Sequence, residues 1–232
     1  MSRLWNTTNG LSCVSMMVGV VSKYKHRVGG LSAWSGRVPA GGTKPIHLIM
    51  TLDLSDPSIP FSQPGIRELP LFHPFAYDGS RISYRVVGER AIEIVKQPDR
   101  KAADNFPFEN YPESFPCYPV ALSEPIAMEE YLNEDLTGAD WEAELEQAAA
   151  ENRVLDAHDK IAFLEGLMQG SPRTICRTPE CNGQTMKLLT VIRGDLIEGF
   201  HFWSDSDYGP DVVVTYEYCP NCYLIHTENQ CG

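Results

Sequence analysis

The sequence has no apolar run long enough to cross a bilayer. Its best stretch, residues 13–21, is interrupted by Ser15 and Gly19 and falls far short of the roughly 20 residues a spanning helix needs. It also lacks a basic region ahead of that run; Lys23, Lys25 and Arg27 follow it, the reverse of an export signal. With no export signal and 7 cysteines, an odd number, the expected compartment is a cytoplasm with reduced thiols, not one that builds a disulfide framework. No phosphate-cradling glycine loop, Ser-His-Asp signature or histidine-rich metal motif is present. Basic residues are scarce in the middle of the chain: residues 104–165 hold 16 Asp and Glu against Arg153 and Lys160 alone. Residues 1–101 carry 13 Lys and Arg against 7 Asp and Glu, a balance of +6, so the remainder carries 6 against 24, a balance of −18, within a net charge of −12. Such a middle region repels a polyanion such as DNA. It reads as a solvated helical face or as a docking surface for a basic protein, with Glu129, Glu130, Glu134, Asp135, Glu142 and Glu146 as the candidate contact residues.

What is plentiful is punctuation. The 18 glycines and 17 prolines are spread along the chain, which favours many short strands over long helices. Residues 46–54, IHLIMTLDL, are an almost unbroken apolar run expected of a strand covered on both faces. Residues 65–79 cluster large apolar groups and close on Asp78-Gly79, a hairpin signal. Residues 81–87 and 91–96 read as the next strands of an antiparallel meander, turning at Gly88-Glu89. Residues 104–119, rich in proline and aromatics, predict an extended strap laying rings on the core, because proline donates no hydrogen bond. Residues 140–152, DWEAELEQAAAEN, predict a helix with acid in its first turn, and residues 158–168 a weaker one. Strands are then expected at 185–193, 199–203, 211–218 and 223–227.

The expected class is α+β, mainly antiparallel β, in one domain over residues 1–232. Within it, an N-terminal β lobe spans about 18–122, an acidic helical segment about 126–168 and a cysteine-bearing β lobe about 173–232. HLIMTLDL then LPLFHPFA in the first half is faintly echoed by KLLTVIRG then VVVTYEYC in the second, which suggests a degenerate duplication of one sheet-forming unit.

CRTPEC, residues 176–181, is answered by CPNC, residues 219–222. Zinc takes four thiolates tetrahedrally, usually from two short loops that each present a cysteine pair. Cys219 and Cys222 form a tight knuckle turned by Pro220-Asn221; Cys176 and Cys181 are looser, with Asn182-Gly183 reversing the chain after them. Cys176, Cys181, Cys219 and Cys222 are therefore the expected ligands of a structural zinc, since four protein thiolates leave no open position for catalysis. Disulfides are the alternative. A redox role for Cys219 and Cys222 fits less well, because residues 223–226 read as a strand where a redox pair needs a helix N-terminus. Cys231 could substitute as a ligand, while Cys13 and Cys117 read as buried core thiols. Asp205, Asp207 and Asp211 could face a hard cation but lack the remaining ligands of a calcium loop. His47, His73, His201 and His226 sit in apparent strands without a catalytic signature.

Several stretches taken in order resemble the YwqG-like family of bacterial proteins. They are Ser22-Lys23, Gly29-Gly30, Lys44-Pro45-Ile46-His47-Leu48 and Leu52-Asp53-Leu54; then Gly65, the run from Leu69 to Phe75, and Tyr77-Asp78; then Tyr111-Pro112-Glu113, Phe115-Pro116 and Tyr118-Pro119; and finally Lys160-Ile161, Gln169, Trp203, Asp207 and Gly209. The resemblance covers roughly residues 18–232. Where the family motif carries two glycines, a proline and a tryptophan after Lys160-Ile161, this chain has Ala162, Phe163, Glu165 and Leu167. The resemblance implies a mainly antiparallel β fold with duplicated units. More remotely the chain resembles the programmed-cell-death-protein-2 group, which includes dedicated chaperones of a ribosomal protein. Both resemblances imply binding to other proteins. The functional expectation is a zinc-stabilised, non-enzymatic protein-binding module, a chaperone or adaptor for a basic client. The alternatives are an immunity or antitoxin-like protein that binds a toxin, and an enzyme working in a cleft between the lobes.

Overall fold

His47–Asp53 forms a strand, β4, buried at six of its seven positions, as an apolar run with alternating β-branched members requires when both of its faces are covered. The structure is a computed structural model that describes residues 2–6, 11–77, 81–103, 106–128, 130, 137–154, 156–167, 174–181, 183–203 and 212–231. The strands are β1 (Arg3–Asn6), β2 (Ser12–Val18), β3 (Arg27–Val28), β4, β5 (Glu68–His73), β6 (Ile82–Gly88), β7 (Ala91–Lys96), β8 (Tyr118–Leu122), β9 (Ile126–Ala127), β10 (Lys187–Arg193), β11 (Val212–Tyr218) and β12 (Ile225–Cys231). Among the described residues, helices α1 (Thr137–Ala150) and α2 (Ala157–Glu165) lie between β9 and β10. No helix among the described residues is long and apolar enough to cross a membrane.

The strands form one mainly antiparallel sheet in the order β5-β4-β3-β8-β2-β1-β10-β11-β12-β6-β7, with β9 paired to β2 off that path. The α+β, mainly antiparallel expectation therefore holds. The echoed segments are in each case an adjacent antiparallel pair, β4 with β5 and β10 with β11. The strand order lends no support to a duplication into two lobes. β6 and β7 of the first half lie beyond β12, and β1 joins β2 to β10, so the sheet passes through both expected lobes without a break.

Pro70 is tolerated in β5 because β5 is an end strand, where a missing backbone donor breaks no ladder. The sheet curls until β5 faces β6 and β12. There Tyr84 Oη donates to Pro70 O at 2.7 Å and accepts from Phe72 N at 3.0 Å, and His73 Nδ1 meets Thr227 Oγ1 at 3.0 Å. The main core fills the enclosed space. At one end it becomes a cluster of rings. His47 stacks on Phe115 with centroids 5.5 Å apart, and Phe75 meets Phe202 at 5.2 Å and Trp203 at 5.0 Å. The proline-aromatic strap thus delivers Tyr111 and Phe115 to the core as its composition predicts. Residues 199–203, in contrast, are not a strand: one bridge, Ile197 to Phe200, is all they form, and Phe200 and Phe202 are spent on ring packing instead.

A second core cluster lies on the other side of β1 and β10, under the helices, and includes Trp5, Trp141, Ile161 and Leu188. Glu165, at the end of α2, is buried and accepts from Trp5 Nε1 at 2.9 Å and Arg3 Nη1 at 3.2 Å. Burial raises its pKa while Arg3 and Trp5 oppose the rise.

Burial holds the His47 imidazole down at about 4 and that of His73 at about 3. Both rings are neutral in the folded protein. In the unfolded chain they would take protons below about pH 6.5. The unfolded state therefore binds more protons in that window, and acid favours it. Denaturant midpoints are expected to be flat above pH 6.5 and to fall as the pH drops toward 4, and replacing His73 with Asn should make the fall shallower. A fall of unchanged steepness in that variant would show that His73 does not contribute.

Candidate metal centre and adjoining cleft

The two cysteine pairs sit on two hairpin turns. In the first, residues 174–176 pair with 184–186: Cys176 N donates to Gln184 O at 2.8 Å and Met186 N to Thr174 O at 2.8 Å, while Cys181 N closes an inner turn on Thr178 O at 3.0 Å. Gly183, at φ +81°, supplies the left-handed step that reverses the chain. The second turn joins β11 to β12. Cys219 N donates to Leu224 O at 2.8 Å, Tyr223 N returns to Cys219 O at 2.9 Å, and Pro220-Asn221 occupies the bend.

These turns bring the sulfurs of Cys176, Cys181, Cys219 and Cys222 within 4.8 Å of one another. Cys176 Sγ lies 3.6 Å from Cys222 Sγ, and Cys219 Sγ lies 3.5 Å from Cys181 Sγ. A disulfide needs about 2.05 Å, so these are free thiols. Four sulfurs at about 2.3 Å from a common ion would stand about 3.8 Å apart, close to the 3.6 and 3.5 Å of these two pairs and within the 4.8 Å that spans the set. The four cysteines can hold a metal ion. Cys176, Cys181 and Cys219 are buried with Met186 and Leu224, and Cys222 is partly exposed.

The surroundings act on the sulfurs unequally. Burial drives the Cys219 thiol up to about 12 against the N–H groups of Cys222 and Asn221 that face it. Burial also opposes ionisation of Cys222, but bonds from Thr178 and Cys181 and the N–H of Leu224 outweigh it and bring the thiol down to about 6. Four thiolates this close need a cation at their centre, because like charges in a low-dielectric pocket cannot otherwise coexist.

Sequence reasoning missed the surroundings of this centre. Arg85 of β6 reaches the Cys222 sulfur and pairs with Glu180 of the first turn. Its guanidinium offsets part of the excess negative charge of a four-thiolate site. An Arg85→Gln variant is expected to bind metal about tenfold more weakly, measured by competition with a chromogenic chelator. Cys231 cannot substitute as a ligand: its backbone pairs with Val212, at the opposite end of the ladder from Tyr218 and Ile225, about 20 Å along the strand. Cys13 is buried as expected, but Cys117 is exposed and is not a core thiol.

The first cysteine turn also roofs a cleft of about 800 Å³ over β6, β7 and β12. On its floor, residues from neighbouring strands form a polar row. Ser83 is cross-strand partner to both Lys96 and His226, and His226 to Glu217. Ser83 Oγ lies 2.9 Å from His226 Nδ1, His226 Nε2 lies 3.7 Å from Glu228 Oε2, and Thr174 N donates to Glu217 Oε1 at 3.0 Å. Burial pushes the Glu217 carboxyl up, against the Thr174 and His226 interactions. One signal was available in the sequence: His226, Glu228 and Gln230 alternate along β12, as do Arg81, Ser83 and Arg85 around β6, which marks a polar sheet face.

Of the acidic candidates, Glu130, Glu142 and Glu146 are exposed. Glu129, Glu134 and Asp135 lie outside the described residues, as do Asp205, Asp207 and Asp211. Comparison with protein-family models, curated proteins and solved structures finds no match to this chain.

Proposed function

We propose that the protein is a zinc-stabilised, non-enzymatic protein-binding module of the cytoplasm, a chaperone or adaptor that holds a basic segment of another protein against its acidic helix. Zinc is the ion of choice because four thiolates in a closed tetrahedron suit its borderline softness and leave it no catalytic position. The observation that carries the binding role is the way α1 is mounted. Within residues 141–150, only Trp141 and Ala148 are buried, leaving Glu142 and Glu146 exposed on either side of Leu145, itself 43% exposed. A helical stretch docked by so few side chains contributes little to its own fold. Its acid-flanked leucine is the kind of surface that accepts a basic amphipathic segment.

Replacing Glu130, Glu142 and Glu146 with Gln, and Leu145 with Ser, is expected to abolish capture of a basic partner at moderate salt while leaving the melting temperature within a few degrees. Cross-linked complexes identified by mass spectrometry are the readout. Unchanged capture by the variant would refute the reading.

A second reading, an enzyme working in the cleft, is favoured by the approach of Ser83 to His226 with Glu228 alongside. It predicts hydrolysis of a chromogenic acyl ester that Ser83→Ala removes.

A further inference from the structure

In a chain with 31 Asp and Glu against 19 Lys and Arg, the described lining of the cleft under the first cysteine turn contains Arg81, Lys96 and Arg177, with Glu217 and Glu228 adjoining it through His226. Two of these cations are already engaged: Arg81 with Asp99 at 3.2 Å and Glu228 at 3.7 Å, and Lys96 with Asp99 at 3.8 Å. Arg177 makes no ion pair among the described residues and is exposed on the turn between Cys176 and Cys181. It lies between Cys176 and Cys181, whose N–H groups are bonded to Gln184 O and Thr178 O, so its side chain springs from an anchored turn at the mouth of the cleft.

The rest of the wall is apolar. Met186 and Leu224 are buried, whereas Ile175 and Val95 are 52% and 43% exposed. Exposed aliphatic side chains facing each other across a concave site are what an apolar ligand body covers. Ser83 and His226 supply hydrogen-bonding groups at the floor. A cleft of about 800 Å³ lies within the range of roughly 300–1,000 Å³ that small ligands occupy.

We propose that this cleft binds a small organic anion, a carboxylate or phosphate on an apolar body, with the anionic group at Arg177 and Lys96 and the body against Ile175, Val95 and Leu224. The site is separate from the acidic helix and does not depend on the protein-binding role. The metal contributes by fixing the roof and not by touching the ligand.

The test uses the full-length, zinc-loaded chain, isotope-labelled for amide-resolved NMR, and titrates it with phenylbutyrate, then with its neutral isostere phenylbutanamide, and then with inorganic phosphate. Phenylbutyrate is expected to shift the amides of residues 174–179, 83, 95, 96 and 226. It should bind about tenfold more tightly than the amide, since a charge-assisted bond contributes about that much, and should weaken as salt is added. Phosphate should shift the Arg177 and Lys96 amides alone. Lys96→Gln combined with Arg177→Gln is expected to remove the preference for the acid over the amide, while Arg153→Gln, on the distant helical face, leaves it intact. Because both replaced cations are at the surface, an unchanged spectrum elsewhere verifies the fold. Equal affinity for acid and amide would overturn the proposal, as would an unaltered preference in the double variant or shifts scattered away from the cleft.

Discussion

Protein purified under reducing conditions is expected to contain one zinc ion per chain, and removing it with a strong chelator should unfold the β11–β12 hairpin and the turn at 174–186. Apparent binding energies for four-thiolate zinc are on the order of 10–16 kcal/mol, comparable to or larger than the whole stability of a typical domain. Cys219 is the most informative ligand to remove. It is fully buried, receives backbone N–H groups from Cys222 and Asn221, and directly follows β11. Its replacement by Ala should forfeit about a quarter of that energy, roughly 3 kcal/mol or more, and leave an unfilled sulfur position in a packed cluster. Because β11 and β12 are interior strands of the sheet, the loss should spread. The β12–β6 pairing carries Ser83, His226 and Thr227, so hydrogen exchange ought to rise in β6 as well as in the hairpin. Elemental analysis of the reduced protein showing no stoichiometric zinc, together with amide protection that chelator leaves unaltered, would refute the metal reading altogether.

The second large effect concerns Gly29. Its N–H donates to Ile49 O at 2.7 Å and that of Gly30 to Phe115 O at 2.9 Å, so this pair joins β4 to the aromatic strap. Gly29 has φ +63°, and an added Cβ would stand 2.1 Å from Pro116 O and 2.9 Å from Phe115 O. Both obstacles are backbone and cannot rotate away. Gly29→Ala should therefore incur left-handed strain of about 1–2 kcal/mol and displace Phe115 from its stack on His47. The total should be at least about 3 kcal/mol, read as a drop in denaturant midpoint with loss of near-ultraviolet aromatic signal. Gly65 offers the control, having φ +77° but nothing within 4 Å of an added Cβ. Gly65→Ala should show the strain alone, and equal losses at both positions would show that the close approach to Pro116 contributes nothing.

Most of the long strands were legible because their cause is local. The buried run of β4, the meander of β6 and β7 around Gly88, and β10 and β11 each declare themselves through alternation or continuous apolarity between turn residues. The helices followed from their helix-forming residues, with α1 beginning at Thr137 and α2 ending at Glu165. The misreading at 199–203 has the same origin. Phe200, Phe202 and Trp203 carry strong strand propensity, yet their rings are captured by Phe75 and Phe115, and tertiary packing overrides local preference. β1, β3 and β9 escaped notice because two to four residues are too few to display a period.

The cysteine cluster was legible for a different reason. Thiolate pairs at short spacing on turn residues have few other uses in a reduced chain, so the sequence alone singled out all four sulfurs. It also established a β-rich chain with two helices and an acidic middle. Only the tertiary structure decided that β6 and β7 of the first half lie beyond β12, which sets Ser83 against His226 across 143 residues and Arg85 against the Cys222 sulfur. Strand order is chosen by which faces can be buried together once the whole chain has collapsed. A row of polar side chains built across that order leaves no trace in any single segment.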